Sequence, residues 1–146
     1  MSDNLFSLKK ITYNRRIIDG MLAVIIFCIF ILIFCLVNNL FISGLLVCCF
    51  LIARGLLSNS FRNKLYIYQI DRTLNQINIK FLYKNDEKNI EIDVNNLEVV
   101  RDVLWYSYPI VYFVKFKIGE AESFRQYLCG EWTDSKFDEL VSKFKK

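Results

Sequence analysis

The longest uncharged stretch in the chain, residues 20–53, limits what the whole sequence can fold into. It runs for 34 positions without Asp, Glu, Lys or Arg, and two neighbouring asparagines, Asn38 and Asn39, stand near its middle. A helix needs about 20 apolar residues to cross roughly 30 Å of hydrocarbon, so the stretch is too long for one crossing and close to enough for two short ones. The sequence therefore predicts a transmembrane hairpin of two helices, 17–37 and 40–57, joined by a polar turn.

Basic residues flank the predicted hairpin, whereas the turn between its helices carries no charge. They lie in the preceding tail (residues 1–16) and around the end of the second helix: Lys9, Lys10, Arg15, Arg16, Arg54, Arg62 and Lys64. Because positive residues collect on the cytoplasmic side of a membrane, we expect a bacterial inner-membrane protein with both termini in the cytoplasm. The apolar core is longer than that of a signal peptide and has no A-x-A-like cleavage site after it, which indicates an uncleaved anchor. The same side chains are suited to contact anionic lipid headgroups.

The tail ahead of the hairpin allows two structures. Leu5, Leu8 and Ile11 have a loose helical spacing, which suits a helix lying at the membrane interface. An extended segment that pairs with the domain after the hairpin is an equal alternative. Where the tail meets the hairpin, we expect Asp19 to pair with Arg54, since antiparallel helices bring these ends together.

Small residues predict how the two helices pack. Gly44, Cys48 and Gly55 fall on one stripe of the second helix, where small side chains let backbones approach closely. The first helix offers four small residues of its own, namely Gly20, Ala23, Cys28 and Cys35. Packing within the hairpin explains the stripe, and homo-oligomerisation through it is the alternative. No charged residue lies deeper in the hairpin, so the sequence shows no lining for a pore.

After residue 58 the apolar periodicity becomes that of β-strands. Short runs rich in isoleucine and tyrosine alternate with polar residues and are separated by polar turns. They predict six strands, at LYIYQID, QINIKFLY, IEIDV, 97–106, 110–118 and SFRQYLC. The segment 97–104 also has helical spacing at Leu97, Val100 and Leu104, and we favour a strand because its neighbours are strands.

The chain ends in an amphipathic helix, predicted at residues 135–145. Thr133, Asp134 and Ser135 offer N-cap oxygens, and lysines lie in the last turn, where the helix dipole favours them. One apolar stripe follows the helical period, at Phe137, Leu140, Val141 and Phe144. The order predicts an α+β domain, residues 58–146, in which an antiparallel sheet is closed at one end by a helix.

Two membrane helices, a strand-rich segment and a final helix with the sequence FDELVSKF resemble the bacterial pleckstrin-homology-like (PH-like) membrane proteins, including the YcxB-like group. The resemblance covers most of the chain as an arrangement rather than as a sharp motif. It implies a curved, partly closed PH-like sheet that is capped by Phe137, Leu140 and Phe144. It also implies an interaction module without shared catalytic residues. The segment from Leu97 departs from the plainer strand pattern of the family, which leaves the strand register there open.

The sequence lacks histidine and the common catalytic and phosphate-binding motifs. There is no histidine, no glycine-rich phosphate loop and no GxSxG or HExxH motif, and the five cysteines lack metal-ligand spacing. From residue 58 onward 14 basic residues stand against 13 acidic ones, without the basic excess of a nucleic-acid-binding domain. We therefore expect no catalytic residue, no cofactor, no metal and no nucleic-acid partner.

Aromatic residues form the candidate contact surface. Tyrosine and tryptophan combine apolar area with a polar tip, which suits protein interfaces and the membrane boundary as well as a core. The candidates for contact with a partner or the membrane are Trp105, Tyr106, Tyr108, Tyr112 and, ahead of the last helix, Trp132. Core packing is the alternative for the cluster, and stapling of the helix entry is the alternative for Trp132.

These features favour a non-enzymatic inner-membrane protein that presents a cytoplasmic domain to a protein partner or an anionic lipid. A small anchored chain without catalytic residues equally fits an immunity protein that neutralises a membrane-acting toxin. An accessory subunit of a larger membrane complex is a third hypothesis, based on the small-residue stripe.

Overall fold

Two long helices interrupt the strands of a β-rich domain after its first strand. The computed structural model describes residues 3–104, 111–119 and 122–144. The elements in chain order are β1 (Asp3–Ser7), α1 (Tyr13–Val37), α2 (Phe41–Arg62), β2 (Leu65–Arg72), β3 (Gln76–Tyr83), β4 (Asp86–Asp93), a 3₁₀-helix (Val94–Asn96), β5 (Leu97–Leu104), β6 (Val111–Ile118), β7 (Glu122–Tyr127) and α3 (Asp134–Phe144). Within the described residues, the strands form two antiparallel sheets, ordered β1-β2-β3-β4 and β5-β6-β7.

The turn between α1 and α2 lies at the two asparagines that the sequence marks. The Asn38 side chain donates to the carbonyl oxygen of Phe34 (2.8 Å), and Asn39 adopts a left-handed backbone with φ of 57°. Asparagine tolerates this conformation better than most residues, so the chain reverses within three residues. Both helices are long and apolar enough to span a membrane. They also exceed the predicted segments, because α1 begins four residues earlier and α2 ends five residues later.

The small-residue stripe of α2 faces α1. A side chain at Gly44 would meet Cys35, and one at Gly55 would meet Met21. Between these glycines the thiols of Cys28 and Cys48 each lie near the other residue's carbonyl oxygen, at 3.9 and 3.4 Å. The stripe is therefore occupied by packing inside the hairpin.

The tail forms strand β1 rather than an interfacial helix. It pairs antiparallel with β2, so the sheet takes its first strand from before the hairpin and its other strands from after it. Phe6 and Leu8 are buried, and the Phe6 ring stacks on Trp132 with centroids 4.8 Å apart. Residues 1–16, which the sequence suggested as a separate tail, thus contribute a strand to the domain.

Helix α3 bridges the edges of the two sheets. Lys143 donates to the carbonyl oxygen of Leu5 in β1 (2.7 Å), while Arg101 in β5 forms ion pairs with Asp134 (2.7 Å) and Asp138 (2.6 Å). The apolar stripe of α3 enters the core between the sheets, where Phe137 and Leu140 are fully buried. The predicted C-terminal helix and antiparallel strands are confirmed.

The prediction of one partly closed sheet is wrong, since the structure has two open sheets. Among the described residues no strand pairing joins β4 to β5. The 3₁₀-helix between them turns the chain away from the first sheet, and the Asp93 carboxylate accepts from the Asn95 amide (2.8 Å) at its start. Aromatic contacts join the inner faces instead, as in Phe81 with Phe124 at 6.2 Å between ring centroids.

We predict that Gly44→Ala destabilises the hairpin more than Gly55→Ala. A Cβ at position 44 would lie 2.7 Å from the Cβ of Cys35, which is fixed to the α1 backbone, whereas at position 55 the nearest atom is the Met21 sulfur at 3.0 Å. The thioether can move away, but the Cβ of Cys35 cannot. Overpacking costs about 1–3 kcal/mol, and thermal unfolding of the full chain in detergent micelles measures it. Equal melting temperatures for the two variants would contradict the packing described.

Candidate functional site

Arg16 is a fully buried cation at the junction between the helical hairpin and the sheets. Its exposed fraction is 0%, although it lies in the first turns of α1. Its guanidinium donates to the carbonyl oxygen of Asn63, just after α2 (2.7 Å), and to that of Lys84, in the turn between β3 and β4. The Asn63 side chain donates in return to the carbonyl oxygen of Arg16 (3.1 Å). One side chain thereby joins α1, the end of α2 and the β3–β4 turn.

Two tyrosine rings complete the surroundings of Arg16. Its guanidinium carbon lies 5.1 Å from the ring centroid of Tyr66 and 5.6 Å from that of Tyr13. Within the described part of the chain no carboxylate forms an ion pair with it, so carbonyl oxygens and ring faces replace the counter-ion. A planar guanidinium suits both kinds of contact, because its fixed N–H groups donate in the plane while its faces stack on aromatic rings.

The β3–β4 turn binds the start of α1 and the segment that follows the end of α2. The Asn85 side chain accepts from the Tyr13 amide (2.8 Å), while Thr12, at the N-cap position, makes no side-chain cap. Asn85 therefore caps α1 from a distant part of the sequence. The Lys84 amide donates to the carbonyl oxygen of Lys64 (2.6 Å), and Lys84 has a left-handed φ of 55°. This turn fixes the hairpin against the first sheet.

Trp132 is buried, which corrects its assignment as a contact residue. Its indole N–H donates to the carbonyl oxygen of Ile67 (2.8 Å), and its ring lies between Phe6 and Phe137. The Ile67 amide donates to the buried Gln126 side chain (2.8 Å) at a bulge in β2. Trp132 thus staples β1 to α3 and satisfies a backbone group that the bulge releases.

Two titratable groups beside Arg16 are kept neutral. Burial raises the pKa of the Cys129 thiol to about 12, and burial also raises the pKa of the Tyr66 hydroxyl, which donates to the carbonyl oxygen of Lys9 (3.0 Å). A nucleophilic cysteine needs a lowered thiol pKa and access for substrate. Cys129 has the opposite properties and fills space in the core.

Three of the four basic side chains near the start of the hairpin, those of Lys10, Arg15 and Arg16, are engaged within the protein. Lys10 pairs with Glu87 (2.5 Å), which raises the pKa of the lysine and lowers that of the carboxyl group. Arg15 pairs with Asp19 (3.1 Å), so the expected partner of Asp19, Arg54, is replaced by a residue on the same helix. The burial of Arg16 leaves no surface on that residue for a lipid headgroup.

The other predicted contact residues lie in several different environments. The backbone amide of Lys9 donates to Glu131 (2.9 Å). Arg54, Arg62 and Lys64 have no ion pair among the described residues, and the Lys64 ammonium lies over the Phe61 ring (4.4 Å). Tyr112 is 39% exposed and lies under Arg101, with 5.0 Å between guanidinium carbon and ring centroid. Trp105, Tyr106 and Tyr108 lie outside the described residues.

Sequence reasoning missed the structural roles of four polar residues at or near the junction: Asn63, Lys84, Asn85 and Gln126. Each lies in or beside a turn or a strand, where a polar side chain normally faces water. The one available signal was the short polar connection Lys84–Asn85 between two strands, which predicts a tight hairpin turn.

Fold and site together define a two-helix apolar hairpin that is inserted into an α+β domain and held to it by a buried arginine. In the described ranges no group of three or more Cys, Asp or Glu side chains comes together as a metal site. Comparison of the chain with protein-family models, with curated proteins and with solved structures yields no match.

We predict that Arg16→Gln destabilises the protein by about 3 kcal/mol, because two buried carbonyl oxygens lose a charged donor. The matched control is Arg15→Gln, which removes the same charge from a neighbouring exposed side chain whose i,i+4 ion pair contributes about 0.3–0.5 kcal/mol. Urea unfolding of the full chain in detergent micelles measures the loss of stability in both variants. A difference below about 1 kcal/mol between the variants would rule out Arg16 as the main junction contact.

We predict that Cys129 resists alkylation by a maleimide in the folded protein, even as the pH rises from 8 to 10. The unfolded thiol loses its proton near its ordinary pKa, whereas the folded thiol keeps it until about pH 12. Because the folded state retains the proton, the contribution of Cys129 to stability is complete below about pH 9 and falls above it. Mass spectrometry after a short alkylation pulse reports the modified fraction. Rapid modification of Cys129 in the native chain would contradict its burial.

Proposed function

We propose that this chain is a non-enzymatic protein of a bacterial inner membrane, whose hairpin spans the bilayer twice and whose PH-like domain faces the cytoplasm and binds a protein or lipid partner. The observation that carries the proposal is the uncovered apolar exterior of α1 and α2, which is fixed to the domain through Arg16.

The exterior of the hairpin is far more apolar than a water-facing surface. Large side chains point outward along both helices, for example Phe30 (63% exposed) on α1 and Ile42 (77% exposed) on α2. A soluble protein rarely exposes a contiguous apolar patch of more than a few hundred Å². Helices satisfy all their backbone groups internally, so lipid is a suitable surrounding for this surface.

The domain supports a binding role rather than a catalytic one. Antiparallel strands followed by a C-terminal helix are the order of elements that the PH-like resemblance implies, although the sheets are open rather than partly closed. The titratable groups buried beside Arg16, Cys129 and Tyr66, are held neutral and satisfied, without the lowered pKa of an activated nucleophile.

The structure gives no support to homo-oligomerisation through the small-residue stripe. Gly44, Cys48 and Gly55 contact α1 of the same chain, so a second copy would have to open the hairpin to reach them. An accessory role in a larger complex would therefore use another surface.

We predict that a green fluorescent protein fused after residue 146 is fluorescent and that alkaline phosphatase fused there is inactive, because the basic flanks keep that end in the cytoplasm. The matched control is a fusion of each reporter after Asn39, where the turn should lie on the opposite side and the two readouts should be reversed. Active phosphatase at residue 146 would overturn the orientation. Release of the full chain from membranes by alkaline carbonate would overturn the membrane-spanning hairpin.

A further inference from the structure

A patch of lysines and aromatic rings lies at the end of α2 and at the neighbouring β3–β4 turn. It consists of five residues, Phe61, Lys64, Tyr83, Lys84 and Lys88, which we call the root patch. The Lys64 ammonium lies 4.4 Å from the Phe61 ring centroid, and the Lys88 ammonium lies 5.3 Å from that of Tyr83. The hydrogen bond from the Lys84 amide to the carbonyl oxygen of Lys64 holds the two halves of the patch side by side.

The cations of the root patch are not neutralised by the protein. Across the described ranges, Lys64, Lys84 and Lys88 form no ion pair, and neither does the adjacent Arg62. The β3–β4 turn carries a single unengaged carboxylate, Asp86, since the next carboxylate is bound by Lys10 on the other side of the strand. Three lysines without an ion pair among the described residues thus lie at or near the β3–β4 turn.

The depth of the patch matches the headgroup layer of a bilayer. Phe61 lies four residues beyond the predicted end of the second membrane segment at residue 57, and a helix rises about 1.5 Å per residue, which gives about 6 Å. The polar layer on each side of the hydrocarbon is about 5–8 Å thick. The Phe61 ring is 67% exposed and the Tyr83 ring 40% exposed, and aromatic rings are favoured at this boundary.

We propose that the root patch binds the phosphate group of an anionic membrane phospholipid in the leaflet next to the domain. This inference rests on the proposed function, because it requires the hairpin to lie in a bilayer. The ammonium groups of Lys64, Lys84 and Lys88 supply donors for the phosphate oxygens. Phe61 continues the apolar exterior of α2, so a lipid can contact the ring and the lysines at once, which a soluble phosphate cannot.

Lipid selectivity of the full chain tests the proposal. The chain is reconstituted in phosphatidylcholine bilayers, and electron spin resonance measures how strongly spin-labelled phosphatidylglycerol is immobilised relative to spin-labelled phosphatidylcholine. Two double variants that lose the same charge are compared, Lys64→Gln with Lys84→Asn in the patch and Arg72→Gln with Lys115→Gln elsewhere on the domain. Asparagine at position 84 retains the left-handed backbone.

The patch variant is expected to lose most of the preference for phosphatidylglycerol, since each lysine near a membrane surface contributes up to about fivefold in affinity. The control variant should stay within about twofold of the unmodified chain, because screening limits the reach of distant charges. If both variants lose this lipid preference equally, or if neither loses it, the proposed lipid contact of the root patch is overturned. Displacement of the labelled lipid by inorganic phosphate, at constant ionic strength, overturns the choice of a lipid ligand.

The same measurement separates this inference from the proposed function. If neither labelled lipid is immobilised by the unmodified chain, the hairpin does not lie in the bilayer and both proposals fail. If both lipids are immobilised equally, the hairpin is in the bilayer and only the root patch is refuted.

Discussion

The buried guanidinium of Arg16 is the contact on which the arrangement of hairpin and sheets depends. Removing a cation from water costs several kcal/mol, and two carbonyl hydrogen bonds and two ring faces offset this cost at Arg16, whose buried Nε–H has no partner among the described residues, so the groups that do contact it have little freedom to move. They come from Asn63 and from Lys84, which are far apart in sequence. This requirement also explains the helix lengths. Helix α1 begins at Tyr13, where Asn85 caps it, and α2 extends to Arg62, which brings the next carbonyl to the guanidinium.

Insertion of the hairpin between β1 and β2 makes the helices and the domain interdependent. Strand β1 leads into α1, and α2 leads into β2, and these two strands pair in one sheet. The start of α1 and the end of α2 are therefore both tied to the same sheet. The stacking of Phe6 on Trp132 and the hydrogen bond from Lys143 to Leu5 hold this first strand. A displacement of the helices at their domain ends would therefore strain the sheet directly.

Local pattern was sufficient to predict the two long helices, the strands after the hairpin and the final helix, but it left β1 open and did not give the tertiary roles of these elements. Alternation revealed the strands because one face of each is buried, and Asn38–Asn39 revealed the helix turn because few other residues reverse a chain so sharply. The role of Arg16 depends on a turn 68 residues further along, and a basic residue before an apolar run has the same local pattern whether it faces lipid or core. The open sheets likewise depend on the 3₁₀ corner, whose sequence, Val94–Asn96, resembles any polar turn.

The structure assigns different tasks to basic residues that the sequence presents as one group. Arg16 is buried, and Lys10 and Arg15 form ion pairs, whereas Lys9 before α1 and Lys64 after α2 form none among the described residues. The backbone of Lys84 joins that of Lys64 only in the folded domain. The positive-inside bias counts charges near the helix ends as the chain inserts, irrespective of where the side chains later pack. Arg16 can therefore influence orientation first and the junction afterwards. Lipid contact, by contrast, favours a charge that is still unpaired after folding, and among the described residues Arg54, Arg62 and Lys64 on the α2 side meet this condition, as does Lys9 on the α1 side.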